Sequence, residues 1–341
     1  MVIALVLVAK VAMAQTVDTV LSRKITLSDT KKDIKLNPKY PVAGIEVTQF
    51  LWDSLHLGFA QVGLLNDRAV AVPDKPVTSY LQDYTQSAFG HLFKNEGLRM
   101  LWVIEALRVG EKTNPMNEDG FFRFKGTSFV TKDGISYLPV FTYDIVTRSA
   151  GMDVTHKHKN HIASAMDKLM QLSMDKLDSA FASNGGMFTH EQIMGQYQQK
   201  RALPILTEKM KDGVYLQYND LKNNTPAITS FTVEKVKRKT LVKDSTGKTI
   251  DYWAVVKGGV VYKYDVRGLI ALEKYQYGYI ISSYIGNAQR LNTAVAFGGG
   301  ILGALAAGKG STLILPADAY PSLFIQPEAT AIDMETGAYI F

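Results

Sequence analysis

Cysteine is absent from this chain of 341 residues. That excludes thiol nucleophiles, zinc–thiolate sites, disulfide scaffolding and a lipid-modified N-terminal cysteine. Long apolar runs are absent too: the two candidates, Met1–Ala9 and residues 293–308, fall short of the roughly 20 residues that a spanning helix needs. Charge of one sign is scarce. A formal net charge of +6 over 341 residues is too dilute to imply a nucleic-acid partner. There is no nucleophile elbow (GxSxG), no HExxH and no paired-acid signature, so an enzyme would have to assemble its catalytic groups from distant positions. Internal repeats and low-complexity tracts are missing as well. What remains is a globular composition, 46% hydrophobic and 21% charged, in a chain long enough for two domains.

At the start, Met1–Ala9 (MVIALVLVA) is apolar, Lys10 interrupts it, and Ala12-Met13-Ala14 supplies a small-x-small site before Gln15. This pattern is read as a secretory signal over residues 1–14, cleaved after Ala14, which places the mature chain in the periplasm or outside the cell. A positively charged leading region is missing and Lys10 lies late; the competing reading is a buried N-terminal strand. Residues 15–40 are polar and read as a poorly ordered leader arm.

From Pro41 the pattern tightens into an expected α+β domain over 41–182. Residues 45–51 alternate like a half-buried strand, and Gln61–Leu65 and Arg68–Val72 suggest two more. A capping-box pattern at Ser79–Gln82 and apolar positions at Val77, Leu81, Tyr84, Ala88 and Leu92 predict a helix over 78–94. Leu98–Val109, Phe121–Thr131 and Ile135–Thr147 read as a three-stranded meander, with Asp133-Gly134 as a tight turn. A second helix is expected over 155–178, its apolar side marked by Ile162, Ala165, Met166, Leu169 and Leu172 and its wet side by Asp167, Lys168, Gln171 and Asp175. Both helices should cover one face of the sheet. Ala182–Gly186 reads as a linker, followed by a capping box at Thr189–Gln192 that opens a linker helix within 183–204, ended by Pro204. Residues 205–341 read as an antiparallel β-rich domain, with turns at Asp244–Gly247, Gly258-Gly259 and Asp265–Gly268, a short small-residue helix, and a last strand pair around Glu335-Thr336-Gly337.

Several motifs attract attention. Gly298-Gly299-Gly300-Ile301-Leu302-Gly303 satisfies GxGxxG and Asp318 follows twenty residues after Gly298, as a dinucleotide fingerprint asks. Only 38 residues remain after Gly303, too few for the rest of a mononucleotide-binding half, so no dinucleotide and no other cofactor is expected. The near phosphate loop Gly303–Lys309 has Gly310 where Ser or Thr must ligate magnesium. The same stretch repeats small residues every four positions: Gly299, Gly303 and Ala307. That spacing lets another surface approach closely. Two readings stay open, a tightly packed core helix or Gly-rich turn, and a segment meeting a membrane or partner through Phe297, Gly299, Gly303 and Ala307.

His156, His158 and His161 form HxHxxH, but at about 100° per helical residue His156 lies far from the other two. They are read as surface histidines, and no metal is expected. Lys235–Lys239 has no interleaved aromatics and reads as a solvated edge strand. Tyr275, Tyr277 and Tyr279 would share one strand face, where they could line a ligand groove. Asp333-x-Glu335 precedes Thr336-Gly337 and reads as a turn rather than a catalytic pair.

Residues 45–178 resemble the small α+β domain of auxiliary lipoproteins of envelope ABC transporters. The likeness rests on element order: Trp52-Asp53-Ser54-Leu55-His56-Leu57-Gly58 after a first strand, the helix at 78–94, the strand Leu98–Ile104, and Phe141-Thr142-Tyr143-Asp144-Ile145 before the closing helix. It implies a non-catalytic partner of transport machinery and carries over no active-site residue; the chain departs from that family in lacking the lipidated cysteine. Residues 205–341, through Lys211-Asp212-Gly213-Val214-Tyr215 and Asn224-Thr225-Pro226-Ala227-Ile228, resemble a recurrent domain of uncharacterised exported proteins of gram-negative bacteria, which implies no activity.

These readings converge on an exported, non-enzymatic envelope protein acting by protein or membrane contact, with a transport-accessory role as the finer expectation. A hydrolase with dispersed residues and a small-ligand carrier are the competing classes. The leader reading makes a direct prediction: the intact mass of the chain from its native cell corresponds to a protein beginning at Gln15. Recovery with Met1 attached from the soluble cytosol contradicts it.

Overall fold

The computed structural model describes residues 21–28, 31–36, 39–63, 67–113, 117–183, 185–236, 239–265, 268–281 and 330–341. The expected signal at 1–14 and the segment holding Phe297, Gly299, Gly303 and Ala307 therefore lie outside the described residues.

The first half is built on one eight-stranded sheet with mixed pairing. Its strands are β1 (Ser22–Ile25), β2 (Val42–Gln49), β3 (Gly58–Val62), β4 (Asp67–Pro73), β5 (Leu98–Thr113), β6 (Glu118–Thr131), β7 (Ser136–Gly151) and β8 (Phe188–Thr189). β5, β6 and β7 form the expected antiparallel meander. Gly134, at φ 76°, supplies the left-handed turn between β6 and β7. The parallel pairings of β1 with β4 and of β2 and β3 with β5 have no signature in local sequence. β1 lies inside the stretch read as a leader arm. That arm is held: Lys32 donates its backbone N–H to Ala88, its ammonium lies 3.2 Å from Asp167, and Ile34 and Leu36 pack on the core.

Helices α1 (Val77–Phe89) and α2 (His158–Ala182) lie on the same sheet face, as their spacing predicts. Tyr80, Leu81, Tyr84, Ala88 and Phe89 of α1 meet Met166, Leu169 and Met170 of α2 over Met100, Trp102, Phe122 and Phe124 in one core. Tyr84 Oη donates to Asp167 at 2.8 Å, joining the two helices. The capping box read at Ser79–Gln82 does not form, because α1 begins at Val77, with Pro76 at its N-cap, and Ser79 lies inside its first turn. Gln82 instead bonds the backbone of β2, accepting from Val47 N–H at 2.8 Å and donating to Ile45 O at 2.9 Å.

The opposite face takes α3 (His190–Gln199), whose Thr189 and Gln192 make the predicted capping box. Ile193 and Tyr197 pack on Leu101, Val103 and Phe129, so this helix is part of a core rather than a bare linker. Pro204 does not end it. It opens a separate turn, α4 (Pro204–Thr207), at a position where a missing N–H costs nothing.

The second half contains β9 (Gly213–Tyr215), α5 (Tyr218–Lys222), the hairpin β10 (Phe231–Val236) and β11 (Lys239–Asp244), then β12 (Ala254–Lys257), β13 (Val260–Asp265), β14 (Gly268–Tyr275), β15 (Gly278–Ile281), β16 (Ala331–Ile332) and β17 (Tyr339–Ile340). Seven of these strands form an antiparallel sheet in the order β17-β16-β15-β14-β13-β12-β9. Two expectations are corrected here. The basic run Lys235–Lys239 spans two strands rather than one edge strand, since Val236 pairs with Lys239. Tyr275, Tyr277 and Tyr279 do not share a strand face, because Gln276, at φ 46°, turns the chain between β14 and β15.

Gly58 marks the closest approach of β3 to β5. At φ +122° an added Cβ would lie 2.0 Å from the Val109 carbonyl oxygen. Gly58→Ala is expected to lower stability by about 2 kcal/mol or more, read as a fall in urea midpoint, whereas Gly134→Ala, which meets no atom within 4 Å, should cost less.

Candidate functional site

The site begins with an irregularity in β5. Between Ile104 and Ala106 the β5–β6 register shifts, leaving Glu105 as a bulge. Before the bulge, even positions (Met100, Trp102, Ile104) face the helix-covered core and Leu101 and Val103 face away. After it, Leu107 and Val109 enter that core. One extra residue inverts the alternation, and it turns Arg108 to the same side as Glu105. On β6, Phe122 and Phe124 point to the helices while Phe121 joins the second sheet's core. Arg123 and Lys125 follow Phe121 on that side.

β2 and β3 pair with successive lengths of β5, and residues 50–57 bridge the gap between them. Phe50 N–H donates to Ile104 O at 2.8 Å and Val109 N–H to Leu57 O at 2.6 Å. Inside this bridge Asp53 is 2% exposed. Its Oδ1 accepts the backbone N–H groups of Leu55 and His56, each at 3.0 Å, and its Oδ2 lies 3.6 Å from the Arg108 guanidinium and 3.2 Å from His56 Nδ1. Arg108 stacks on Trp52 and donates through Nε to the Phe341 main-chain oxygen at 2.6 Å. The β14–β15 turn locks onto the same bridge: Gln276 accepts from Ser54 N–H and Oγ, each at 3.1 Å, and Tyr277 N–H donates to Trp52 O at 3.2 Å.

The gap between bridge, β5, β6, the end of α3 and the β16–β17 turn is a cleft of about 290 Å³. Its acids and bases pair across it. Lys200 donates to Glu105 at 2.5 Å and to Glu335 at 2.8 Å; Lys125 lies 3.5 Å and 3.7 Å from the same two carboxylates; Arg123 bonds Asp144. Burial would lower the pKa of Lys200, but its hydrogen bonds to Glu105 and Glu335 outweigh it and hold the ammonium above the ordinary lysine value. Burial raises and the two lysines lower the pKa of Glu335; the lysines win. Asp333 accepts from Glu335 N–H, Thr336 N–H and Thr336 Oγ, the turn that its sequence suggests. Arg201 differs from the rest. It lies over the Phe50 ring (4.7 Å) and the Tyr277 ring (3.9 Å) and donates to Leu51 O at 2.8 Å, yet has no carboxylate partner among the described residues. Burial pulls its pKa down.

The histidine motif resolves differently from the expectation of surface residues. His156 is exposed, but His158 is fully buried at the start of α2, with Nε2 2.8 Å from Glu111 Oε1. Glu111 Oε2 also accepts Gln61 N–H. His161 packs against Phe122 and its Nδ1 finds no partner. No group suited to a metal ion occurs among the described residues.

Of the site, the sequence reading held Trp52-Asp53-Ser54 and Asp144 (as a resemblance), Tyr277 as a possible groove residue, and Asp333 and Glu335. It missed Glu105, Arg108, Arg123, Lys125 and Arg201. The available signal was the run Phe122-Arg123-Phe124-Lys125, charges alternating with aromatics in a strand otherwise apolar.

No family model matches the chain, and no curated protein matches it. Among solved structures, a Xanthomonas campestris protein of family DUF330 is similar at 12% identity and a TM-score of 0.27, covering 52% of this chain and 99% of its own. A homolog of neuraminyllactose-binding hemagglutinin from Helicobacter pylori is similar at 12% identity and a TM-score of 0.15, with the same coverage. Likenesses this loose carry neither protein's fold nor its function to this chain.

Burial, helped by the nearby charges of His158 and Lys157, holds the His161 pKa below the ordinary histidine value of 6.5. The unfolded chain then binds that proton more readily, so this contribution to stability falls as pH drops below about 6.5. Glu118, raised by burial and by Glu111 and Asp153, acts in the opposite sense at lower pH. The urea midpoint is expected to fall between pH 7.5 and pH 5.5, and His161→Phe to shrink that fall; an unchanged difference in the variant contradicts the assignment.

Proposed function

We propose that this chain is an exported, non-catalytic envelope protein that works by binding, and that the cleft beside β5 is where it binds. The observation that carries this reading is the commitment of the cleft's carboxylates. Asp53, Glu105, Asp144 and Glu335 each face a cation, and Asp333 closes its own turn. A general acid or base needs a carboxyl group free to exchange its proton with a substrate; groups held in ion pairs serve to fix shape instead. The aromatic rim supports recognition: Tyr277 is 42% exposed and stacked on Arg201, an amphipathic surface of the kind that interfaces favour. The cleft's size, at the lower end for ligand pockets, favours a small ligand over a docking protein surface. The export pattern of residues 1–14 supports an envelope or extracellular setting, and a transport-accessory role is the finer form of the same reading.

The test is cellular. The chain should fractionate with the periplasm, envelope or medium, and a photoreactive phenylalanine analogue replacing Tyr277 should give adducts that the same analogue replacing Lys176, on the opposite face of the sheet, does not. Cytosolic recovery, or identical adducts from both positions, removes the reading.

A further inference from the structure

One cation of the cleft faces no carboxylate among the described residues. Arg108, Arg123, Lys125 and Lys200 each have a carboxylate opposite them. Arg201 has none among the described residues, its Nε is buried without an acceptor, and one N–H goes to the Leu51 carbonyl. A half-buried guanidinium without a counter-charge carries a desolvation cost that a bound anion offsets. The neighbouring groups fix what sort of anion. The guanidinium carbon lies over both the Phe50 and the Tyr277 ring, and Phe50 stacks in turn on Tyr197 at 5.2 Å. The exposed part of Tyr277 beside the charge suits a flat apolar body. The remaining cations already face carboxylates, and Asp333, held in its own turn, adds a further negative charge to the lining, so a dianion such as a phosphate monoester would meet more repulsion than a monoanion. A cationic ligand would meet an uncompensated positive charge, and its natural carboxylate partners are taken.

We propose that the cleft binds a small organic monocarboxylate with an aromatic or similarly flat apolar body, its carboxylate on the Arg201 guanidinium. This rests on the reading of the cleft as a binding site and adds the ligand's chemical class. A planar fork matched to a carboxylate explains why arginine, rather than lysine, serves here.

The experiment titrates the purified chain with benzoate, phenylacetate and indole-3-acetate, against phenylacetamide as the neutral isostere and phenethylamine as the cation, by saturation-transfer NMR and calorimetry. At least one acid should bind ten times or more tighter than the amide, with no binding of the amine. Arg201→Gln should abolish that preference, Arg201→Lys should weaken the acid several-fold, and unchanged melting curves would show that both variants fold. Tyr277→Ala separates the two levels of inference. If acid and amide bind equally and both lose affinity in Tyr277→Ala, the cleft binds but the carboxylate assignment falls. If no probe binds, or if neither substitution changes binding, the assignment to Arg201 is overturned.

Discussion

Arg108 lies inside the protein, 4% exposed, facing an equally buried Asp53, and it donates onward to the Phe341 main-chain oxygen and to Thr330 Oγ. The two residues belong to the first sheet and its bridge, whereas Phe341 and Thr330 belong to the second. The pair therefore joins the two halves. A buried ion pair is rarely worth more than the apolar packing that could replace it, but removing one partner strands the other and typically costs about 3–5 kcal/mol. Asp53 meets that hazard with backbone N–H groups from Leu55 and His56, and Arg108 with the Trp52 face. The geometry of the junction is consequently fixed by directional bonds rather than by hydrophobic contact alone, which gives the cleft next to it a fixed shape.

The bulge at Glu105 is the second constraint. Without it, Arg108 would point into the core beneath α1 and α2, where it has no partner, and Leu107 would face the cleft. The extra residue keeps β5 apolar on its helix side from Met100 to Val109, before Glu111 meets His158, while placing Glu105 and Arg108 together on the other. Lys200, just beyond α3, and Glu335, in the last turn, then converge on Glu105 from distant parts of the chain. The acids and bases of the cleft pair with one another except for Asp333, which closes its own turn, and Arg201, which faces no carboxylate among the described residues.

Local patterns were legible where local physics decides. The period of α2, the Asp133-Gly134 turn, the Thr189–Gln192 capping box and the β5–β7 meander follow from hydrophobic spacing, a left-handed glycine and reciprocal side-chain caps. Ser79–Gln82 shows the limit. The pattern fits a cap, but the partners that Gln82 finds are Val47 and Ile45 on β2, which neighbouring sequence does not reveal. The histidines show it again: spacing separated His156 from the other two, yet only packing against Glu111 and Phe122 buried His158 and half-buried His161.

By itself the sequence determined that no thiol chemistry operates, that helices and antiparallel strands alternate in a mixed fold, and where many of the turns fall, because each of these depends on residue type or on spacing within a few positions. Tertiary structure alone decided the parallel partners of β5, the inversion at Glu105 and the meeting of Asp53, Arg108, Lys200, Arg201 and Glu335. Those outcomes depend on groups tens to hundreds of residues apart, and the energy that selects them, desolvation against pairing, exists only once the chain has closed around them.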